Sequence, residues 1–354
     1  FDWPSWLSIS NHDINEVLDN YQEELKRLQG TIDLVAGGPP CQGFSMAGKR
    51  VENDTRNQLV FSYIQFIKLV KPKMILFENV KGFTFAFNKK TNKDAIPYSE
   101  VVINELKELG YNVKPHIIDF SKYGVPQRRK RFILVGIMGG NAENFETLLE
   151  ELKTDYLKNK GIESFVSLQD AISDLFQKNG EIPTPDRKGF NSGVYGDINS
   201  NYQRMMRNNI DSKSIPDSHS FAHHNSFTQK VFTNLIAYYP TKGKRITNKE
   251  REQWHIKKRG LTLLNMNDVS PTLTSHPDDY VHYAEPRILT VREYARIQSF
   301  PDWYQFKMKY TTGGDMRKKE VPRYTQIGNA IPPLFAELAG RVLIEILNDG
   351  TDAI

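Results

Sequence analysis

A chain of 354 residues, 39% hydrophobic and 25% charged, is long enough to bury a full core and to divide into two domains. No apolar run approaches the roughly 20 residues of a membrane span, and the opening FDWPSWLSISNHD lacks a basic start followed by an apolar stretch, so neither membrane nor secretion signal is read. One cysteine excludes an intrachain disulfide and a multi-cysteine zinc site and favours a reducing, intracellular setting, while the formal charge of +5 hints at an anionic partner.

In chain order, Ile14 to Gln29 has helical spacing, with Val17, Leu18, Tyr21, Leu25 and Leu28 recurring near the helical period. Residues 32–36 form a short apolar run closed by Gly37-Gly38-Pro39-Pro40, a buried strand ending in a sharp loop. A helix is predicted over 57–70, a strand over 73–77, and a helix over 98–109 stopped by Gly110. Strands follow at 111–118 and 132–137. Strands separated by helices imply βαβ units and a parallel sheet, in which ligands bind outside the carboxyl ends of the strands. The Pro-Pro-Cys-Gln loop and Glu78-Asn79 both fall at such ends.

The pattern weakens after about residue 180. The stretch 180–285, rich in Asn, Ser, Gly and Lys, reads as a smaller, irregular domain. The expected division is therefore 1–180, 181–285 and a return at 286–354. Thr290-Val291-Arg292-Glu293 has the form of a capping box opening a helix to about Gln298, and a last helix runs from about Leu334 to Leu347. From Arg187 to Gly260 there are 14 Lys and Arg against 5 Asp and Glu, a local +9 in a chain whose total is +5. Such an excess is the footprint of phosphate binding, because each neutralised phosphate releases counterions. A solvated, lysine-rich surface would have the same composition.

Three places carry candidate chemistry. A lone cysteine is ordinarily a small buried hydrophobe, but Cys41 lies just past a strand among two glycines and two prolines, beside Gln42 and Ser45. That setting suits a presented nucleophile, which needs a positive neighbourhood to ionise near neutral pH. Glu78 follows four apolar residues, where poor solvation prepares a carboxyl to donate a proton or to bond a ring nitrogen; the alternative is a carboxylate capping the next turn. In the run Gln127-Arg128-Arg129-Lys130-Arg131, strand geometry would turn 127, 129 and 131 to one face and 128 and 130 to the other. A solvated edge is the alternative there.

Together these segments resemble the DNA cytosine carbon-5 methyltransferases, over roughly residues 12–137 and 269–345. GGPPCQGFS at 37–45 looks like that family's nucleophile loop, and DTRNQL at 54–59 like the segment after it. FENV at 77–80 resembles its Glu-Asn-Val motif, and YGVPQRRKRFILVG at 123–136 its Gln-x-Arg-x-Arg strand. RILTVREYARIQSFPDWY at 287–304 and QIGNAIPP at 326–333 match the last two motifs, in order and at plausible spacing.

The resemblance implies an α/β, Rossmann-like methyltransferase domain dependent on S-adenosylmethionine, with a mainly parallel sheet and a smaller irregular target-recognition domain at 181–285. It implies that Cys41 adds to carbon 6 of cytosine while Glu78 holds ring nitrogen 3 and Arg131, with Arg129, holds the base oxygen. The methyl group then moves to carbon 5, and the target nucleotide must be flipped out of the duplex to be reached. Cofactor contacts carried over are Asp13, Ile14, Pro40, Leu59, Asn329 and Ala330. Gln42 and Ser45 would lie beside the flipped base, and Lys257, Lys258 and Arg259 would meet DNA in the segment that reads base edges.

The family's Gly-rich turn and the acidic residue that binds the ribose have no counterpart here. His12-Asp13-Ile14 resembles the adenine-contacting Asp-Ile, so a further amino-terminal segment or a separate chain is expected to complete the cofactor site. Expected partners are double-stranded DNA and a cognate restriction endonuclease, in the bacterial cytoplasm at the nucleoid, with no membrane. Thymidylate synthases also add a cysteine to a pyrimidine, but the Glu-Asn-Val and Gln-Arg-Arg-Lys-Arg motifs argue against them. A relative acting on transfer RNA, and a DNA-binding subunit without activity, remain as alternatives.

Overall fold

The spacing from Ile14 to Gln29 makes two helices instead of one. These are α1, Ile14–Asn20, and α2, Gln22–Arg27, divided at Tyr21, whose φ of −129° and ψ of 32° are not helical. Packing overrides the local pattern: the Tyr21 ring turns onto Trp6, with centroids 5.2 Å apart, while Val17, Leu18 and Leu25 bury against Val70. Asp13 caps α1 by accepting from the Asn15 N–H at 2.8 Å. In the computed structural model, which describes residues 3–40, 58–86, 96–211, 214–312, 316 and 320–351, the chain forms two units. One comprises Phe1–Ile118, Lys130–Glu150 and Val342–Ile354; the other comprises Asp119–Arg129 and Glu151–Arg341. The boundaries expected after residues 180 and 285 both lie inside the second unit.

The first unit is built on a four-stranded sheet. Strand β1, Leu34–Gly37, leads by way of α3, Gln58–Val70, to β2, Met74–Val80. Helix α4, Tyr98–Glu108, then precedes β3, Tyr111–Asp119, and β4, Lys130–Met138. Helix α3 buries Val60, Tyr63, Ile64, Ile67 and Val70, one apolar stripe at helical spacing. That stripe packs with Phe77, Phe83, Val102, Leu106 and Phe132 into the unit's core.

The strand order is β1-β2-β4-β3. Strand β1 runs parallel to β2, but β4 is antiparallel to it, so the sheet is mixed where a mainly parallel one was expected. The cause is local. Helix α4 provides a crossover between β2 and β3, whereas residues 120–129 between β3 and β4 are too few for the dozen or so that a parallel crossover needs.

Helix α5, Phe145–Asn159, carries the chain onward, and the second unit follows with short elements. They are α6 (Leu168–Ile172), β5 (Glu181–Pro183), β6 (Asn191–Gly193), α7 (Asn201–Met206), α8 (Ser226–Tyr238), α9 (Asn248–Gln253), β7 (Thr262–Leu263) and β8 (Tyr280–Val281). Regular helices return as α10 (Val291–Ile297), α11 (Arg323–Asn329) and α12 (Pro333–Thr351). The capping box at α10 forms as expected: the Thr290 hydroxyl accepts from the Glu293 N–H, and the Glu293 carboxylate accepts from the Thr290 N–H.

Buried charges in this unit are paired, as the cost of burying a lone charge requires. Arg296 donates to Asp302 at 2.6 and 2.7 Å and to Asp174 at 3.2 Å. Arg287 donates to Glu293 at 2.8 and 2.7 Å. Among the described residues no helix is long and apolar enough to cross a membrane, and no group of His, Cys, Asp and Glu could hold a metal ion.

Candidate active site

In the first unit, the β2–β4 register opposes Glu78 to Ile133 and Val80 to Arg131. Arg131 thus lies two residues from Glu78's partner on the same face, a diagonal position within reach of long side chains. Arg131 Nε stands 2.8 Å from Glu78 Oε1, with the side chains only 11% and 13% exposed. Arg131 Nη1 also donates to the Lys130 carbonyl at 2.9 Å, which fixes the guanidinium. A carboxyl and a fork of N–H donors side by side can hold a ring nitrogen and a neighbouring carbonyl oxygen of a heterocycle.

The loop leaving β1 is pressed against this pair. A Cβ on Gly38 would lie 3.0 Å from Glu78 Oε2, so a side chain there would require the carboxylate to give by a few tenths of an ångström. A Cβ on Gly37 would lie 2.4 Å from a carbon of the Tyr63 ring. Asn79 is buried; its Nδ2 donates to the Pro39 carbonyl at 3.3 Å and its Oδ1 accepts from the Val80 N–H at 2.8 Å. Glu78 and Asn79 thus both meet the Gly38-Pro39-Pro40 segment that leads into Cys41. Cys41, Gln42 and Ser45 lie outside the described residues, as do residues 54–57 of the DTRNQL segment.

Consecutive residues of α3 gather the other candidates of this unit. Ser62 Oγ donates to Asn15 Oδ1 at 2.7 Å, while Tyr63 stands against Gly37 and its hydroxyl donates to the Val35 carbonyl at 3.3 Å. The start of α1, with Asp13 exposed and Ile14 half-buried, and the end of β1, with Pro40 exposed, are therefore tied to the same turn of α3 that carries half-buried Leu59.

The alternation expected in 127–131 is present. Gln127, Arg129 and Arg131 are buried, whereas Arg128 and Lys130 are exposed. In the second unit, Arg129 donates from Nη2 to the Gly328 carbonyl at 2.8 Å and from Nη1 to the Leu273 carbonyl at 3.4 Å. Arg128 Nη2 donates to both carboxylate oxygens of Asp268, at 2.7 and 2.9 Å. Asn329 is the exposed last residue of α11, and Ala330 is its cap, donating to the Ile327 carbonyl at 3.1 Å.

The basic segment is partly consumed internally. Lys242 pairs with Glu250 at 2.5 Å and Arg207 with Asp174 at 3.5 Å, and Lys258 reaches Asp278 at 2.5 Å and Asp279 at 3.0 Å. Lys257 and Arg259 are exposed. With Arg245, Asn248, Arg251 and His255 they line a cavity of about 1060 Å³ beside α9. Of the three DNA contacts expected in this segment, Lys257 and Arg259 are exposed and Lys258 is held by carboxylates.

Sequence reasoning gave no role to Asn79, Tyr63 or Gln298. The two-residue period of β2 signals Asn79, which must face away from Glu78. Nothing in the sequence signals that Tyr63 meets Gly37, since 26 residues of chain separate them.

The family model of C-5 cytosine-specific DNA methylases matches residues 5–345. The Type II methyltransferase M.DdeI of Desulfomicrobium norvegicum is 31% identical over 94% of this chain and 78% of its own length. The Type II methyltransferase M.XorII of Xanthomonas oryzae pv. oryzae is 30% identical over 98% of this chain and 76% of its own. Among solved structures, a protein described as a DNA modification methyltransferase from an E. coli prophage superposes with a TM-score of 0.62 at 22% identity, covering 95% of this chain and 85% of that one, a likeness of fold.

Proposed function

The chain belongs to the C-5 cytosine-specific DNA methylase family, whose members transfer a methyl group from S-adenosylmethionine to carbon 5 of cytosine, and on that premise we propose that Cys41, Glu78 and Arg131 act together on the target base. The observation that carries this reading is the Glu78–Arg131 pair at 2.8 Å with the Gly38 backbone pressed against it. Gly38 and Pro39, which precede the sole thiol in the chain, thereby lie beside the Glu78 carboxyl and Asn79. Carbon 5 of cytosine becomes electron-rich only after a nucleophile adds to carbon 6. The Cys41 thiolate forms that bond, with Glu78 holding ring nitrogen 3 and Arg131 the base oxygen.

S-adenosylmethionine, when bound, supplies the electrophilic methyl group. Asp13, Ile14, Pro40 and Leu59 are proposed to hold its adenosyl part, because all four border the turn of α3 to which the start of α1 and the end of β1 are tied. Asn329 and Ala330 are proposed as further cofactor residues. Once the methyl group has moved to carbon 5, loss of the proton there lets the Cys41 sulfur leave, restoring the thiolate and the aromatic ring. The target nucleotide is reached by flipping it from the duplex, and Gln42 and Ser45 are proposed to lie beside it.

Arg129 takes a supporting part in this reading, since its Nη atoms hold Gly328 and Leu273. The second unit, through the segment 181–285, is proposed to recognise DNA, with Lys257 and Arg259 meeting phosphates. The family's glycine-rich turn and ribose-binding acid are not among residues 1–354, and a further segment or chain is proposed to supply them. The Type II relatives suggest a cognate restriction endonuclease as partner, and work on chromosomal DNA in the bacterial cytoplasm.

DNA carrying 5-fluorocytosine at the target tests the core of the proposal, because fluorine at carbon 5 blocks the final proton loss. With S-adenosylmethionine present, the protein together with the segment or chain that completes its cofactor site should be trapped covalently, and Cys41→Ser should abolish trapping. Persistent trapping by Cys41→Ser would overturn the assignment.

A further inference from the structure

The turn joining α11 to α12 is held from outside at three points. Arg129 donates to the Gly328 carbonyl at 2.8 Å. Gln298 Nε2 donates to the Ala330 carbonyl at 2.5 Å, and Ser299 Oγ accepts from the Leu334 N–H at 3.1 Å. Gln298 and Ser299 are consecutive and close the carboxyl end of α10; both are buried. Between the clamped carbonyls of Gly328 and Ala330, Asn329 is exposed.

Two features show that these side chains are used for more than filling space. Ser299 has φ +63°, the left-handed region where a helix end ordinarily carries glycine. A serine there bears backbone strain, and what it adds over glycine is the hydroxyl that holds Leu334. Gln298 is one link of a side-chain chain. The Gln127 Nε2 donates to Gln298 Oε1, and Gln127 Oε1 accepts from the Leu273 N–H at 2.9 Å. Each amide therefore uses both ends, and neither can rotate without leaving a buried polar group unmet. The bridge between Gln127 and Ser270 and the Arg128 N–H donating to the Ser270 carbonyl at 2.8 Å anchor the far end. Gly328 closes the arrangement, since a Cβ there would lie 3.0 Å from the Thr274 carbonyl oxygen.

We propose that Gln298 is a positioning residue for the cofactor: through its bond to the Ala330 carbonyl it sets the Asn329–Ala330 turn in the conformation that meets S-adenosylmethionine. The proposal rests on the reading that Asn329 and Ala330 border the cofactor. Gln298 does not touch the reacting atoms. It acts by pre-orienting the turn, so that less ordering is left to be done on binding.

The test is calorimetric titration with S-adenosylmethionine, without DNA, of the protein together with the segment or chain that completes its cofactor site, for wild type, Gln298→Leu, Gln298→Glu and Asn329→Ala, each between pH 6 and pH 8. Gln298→Leu removes the donor at similar volume and should weaken binding about tenfold, the scale of one buried hydrogen bond. Gln298→Glu separates positioning from plain structure. Its carboxylate has no proton for the Ala330 carbonyl at pH 8, whereas the protonated acid can donate, so affinity should recover as the pH falls toward 6 while that of wild type stays flat. Affinity of Gln298→Glu that is independent of pH, or binding by both Gln298 variants equal to wild type, overturns the proposal. Unchanged affinity in Asn329→Ala overturns the reading beneath it as well, whereas weakened Asn329→Ala beside intact Gln298 variants overturns only the positioning role.

Discussion

Replacing Gly37 by alanine probes how the thiol loop is aimed. The new Cβ would stand 2.4 Å from one carbon of the Tyr63 ring and 2.8 Å from the next. The ring cannot easily retreat: it is buried, its hydroxyl donates to the Val35 carbonyl at 3.3 Å, and its edge meets Phe77 with centroids 5.4 Å apart. The backbone at 37 must then move by about 1 Å to reach ordinary packing distance. Overpacking of this kind costs roughly 1–3 kcal/mol. The displacement passes directly to Gly38, which already sits at the Glu78 carboxylate, and a misplacement of about 1 Å at reacting groups lowers rates by around 10²-fold. Urea denaturation would read the first effect, and the rate of trapping on 5-fluorocytosine DNA the second. Gly37→Ala/Tyr63→Ala removes the obstacle, so the pair should show a favourable coupling of about 1 kcal/mol or more in a double-mutant cycle. Trapping at the wild-type rate by Gly37→Ala, with unchanged stability, would refute the link between this close approach and the loop.

Glu78→Gln should slow methylation by on the order of 10²-fold, the usual scale for a general acid, with far smaller change in S-adenosylmethionine affinity; collapse of cofactor binding at an unchanged chemical rate would defeat the base-holding role. Acid should weaken the fold in two stages. Burial pushes the His219 imidazole down to about 4 from 6.5, and Glu293, which burial alone would raise, is held down to about 2 from 4.5 by Arg287. Both folded values lie below the unfolded ones, so the stability they contribute is complete above pH 6.5 and is lost as pH falls, first toward 4 and then toward 2. Glu293→Gln should shrink the second stage in denaturation midpoints taken against pH, leaving the part due to His282 and Glu250, and an unaltered profile would contradict this. Lys257→Ala/Arg259→Ala should lower the salt slope of DNA binding by up to about one unit for each phosphate left without its cation. Lys258→Ala should leave that slope almost unchanged, because Asp278 and Asp279 already hold the ammonium; an equal fall in slope would count against the distinction.

Local chemistry was legible where period and motif coincide. Glu78 and Arg131 were placed near one base from their motifs, and the structure sets them 2.8 Å apart. The faces of 127–131 followed from strand period alone, and Thr290 and Glu293 announced their cap. What escaped the sequence depends on tertiary packing. The break at Tyr21 is set by Trp6, and the antiparallel course of β4 follows from a link too short for a crossover. The basic count from Arg187 to Gly260 overstated the charge open to a partner, because Asp174, Asp278 and Asp279, which lie outside that stretch, are brought to it only by folding. The amide chain through Gln127 and Gln298 joins positions 171 residues apart, beyond the reach of any local pattern.

The chain passes between its two units four times, at 118/119, 129/130, 150/151 and 341/342. A ribosome delivers this order one residue at a time. After Glu150 emerges, all four strands of the sheet are available, yet the unit's last segment, beginning at Val342, is still 191 codons away. At about 5–20 residues per second the nascent sheet waits roughly 10–40 s for it. Val342 and Leu343 are both buried in the finished fold. A late stop codon, just after position 341, would therefore injure the unit that was translated first.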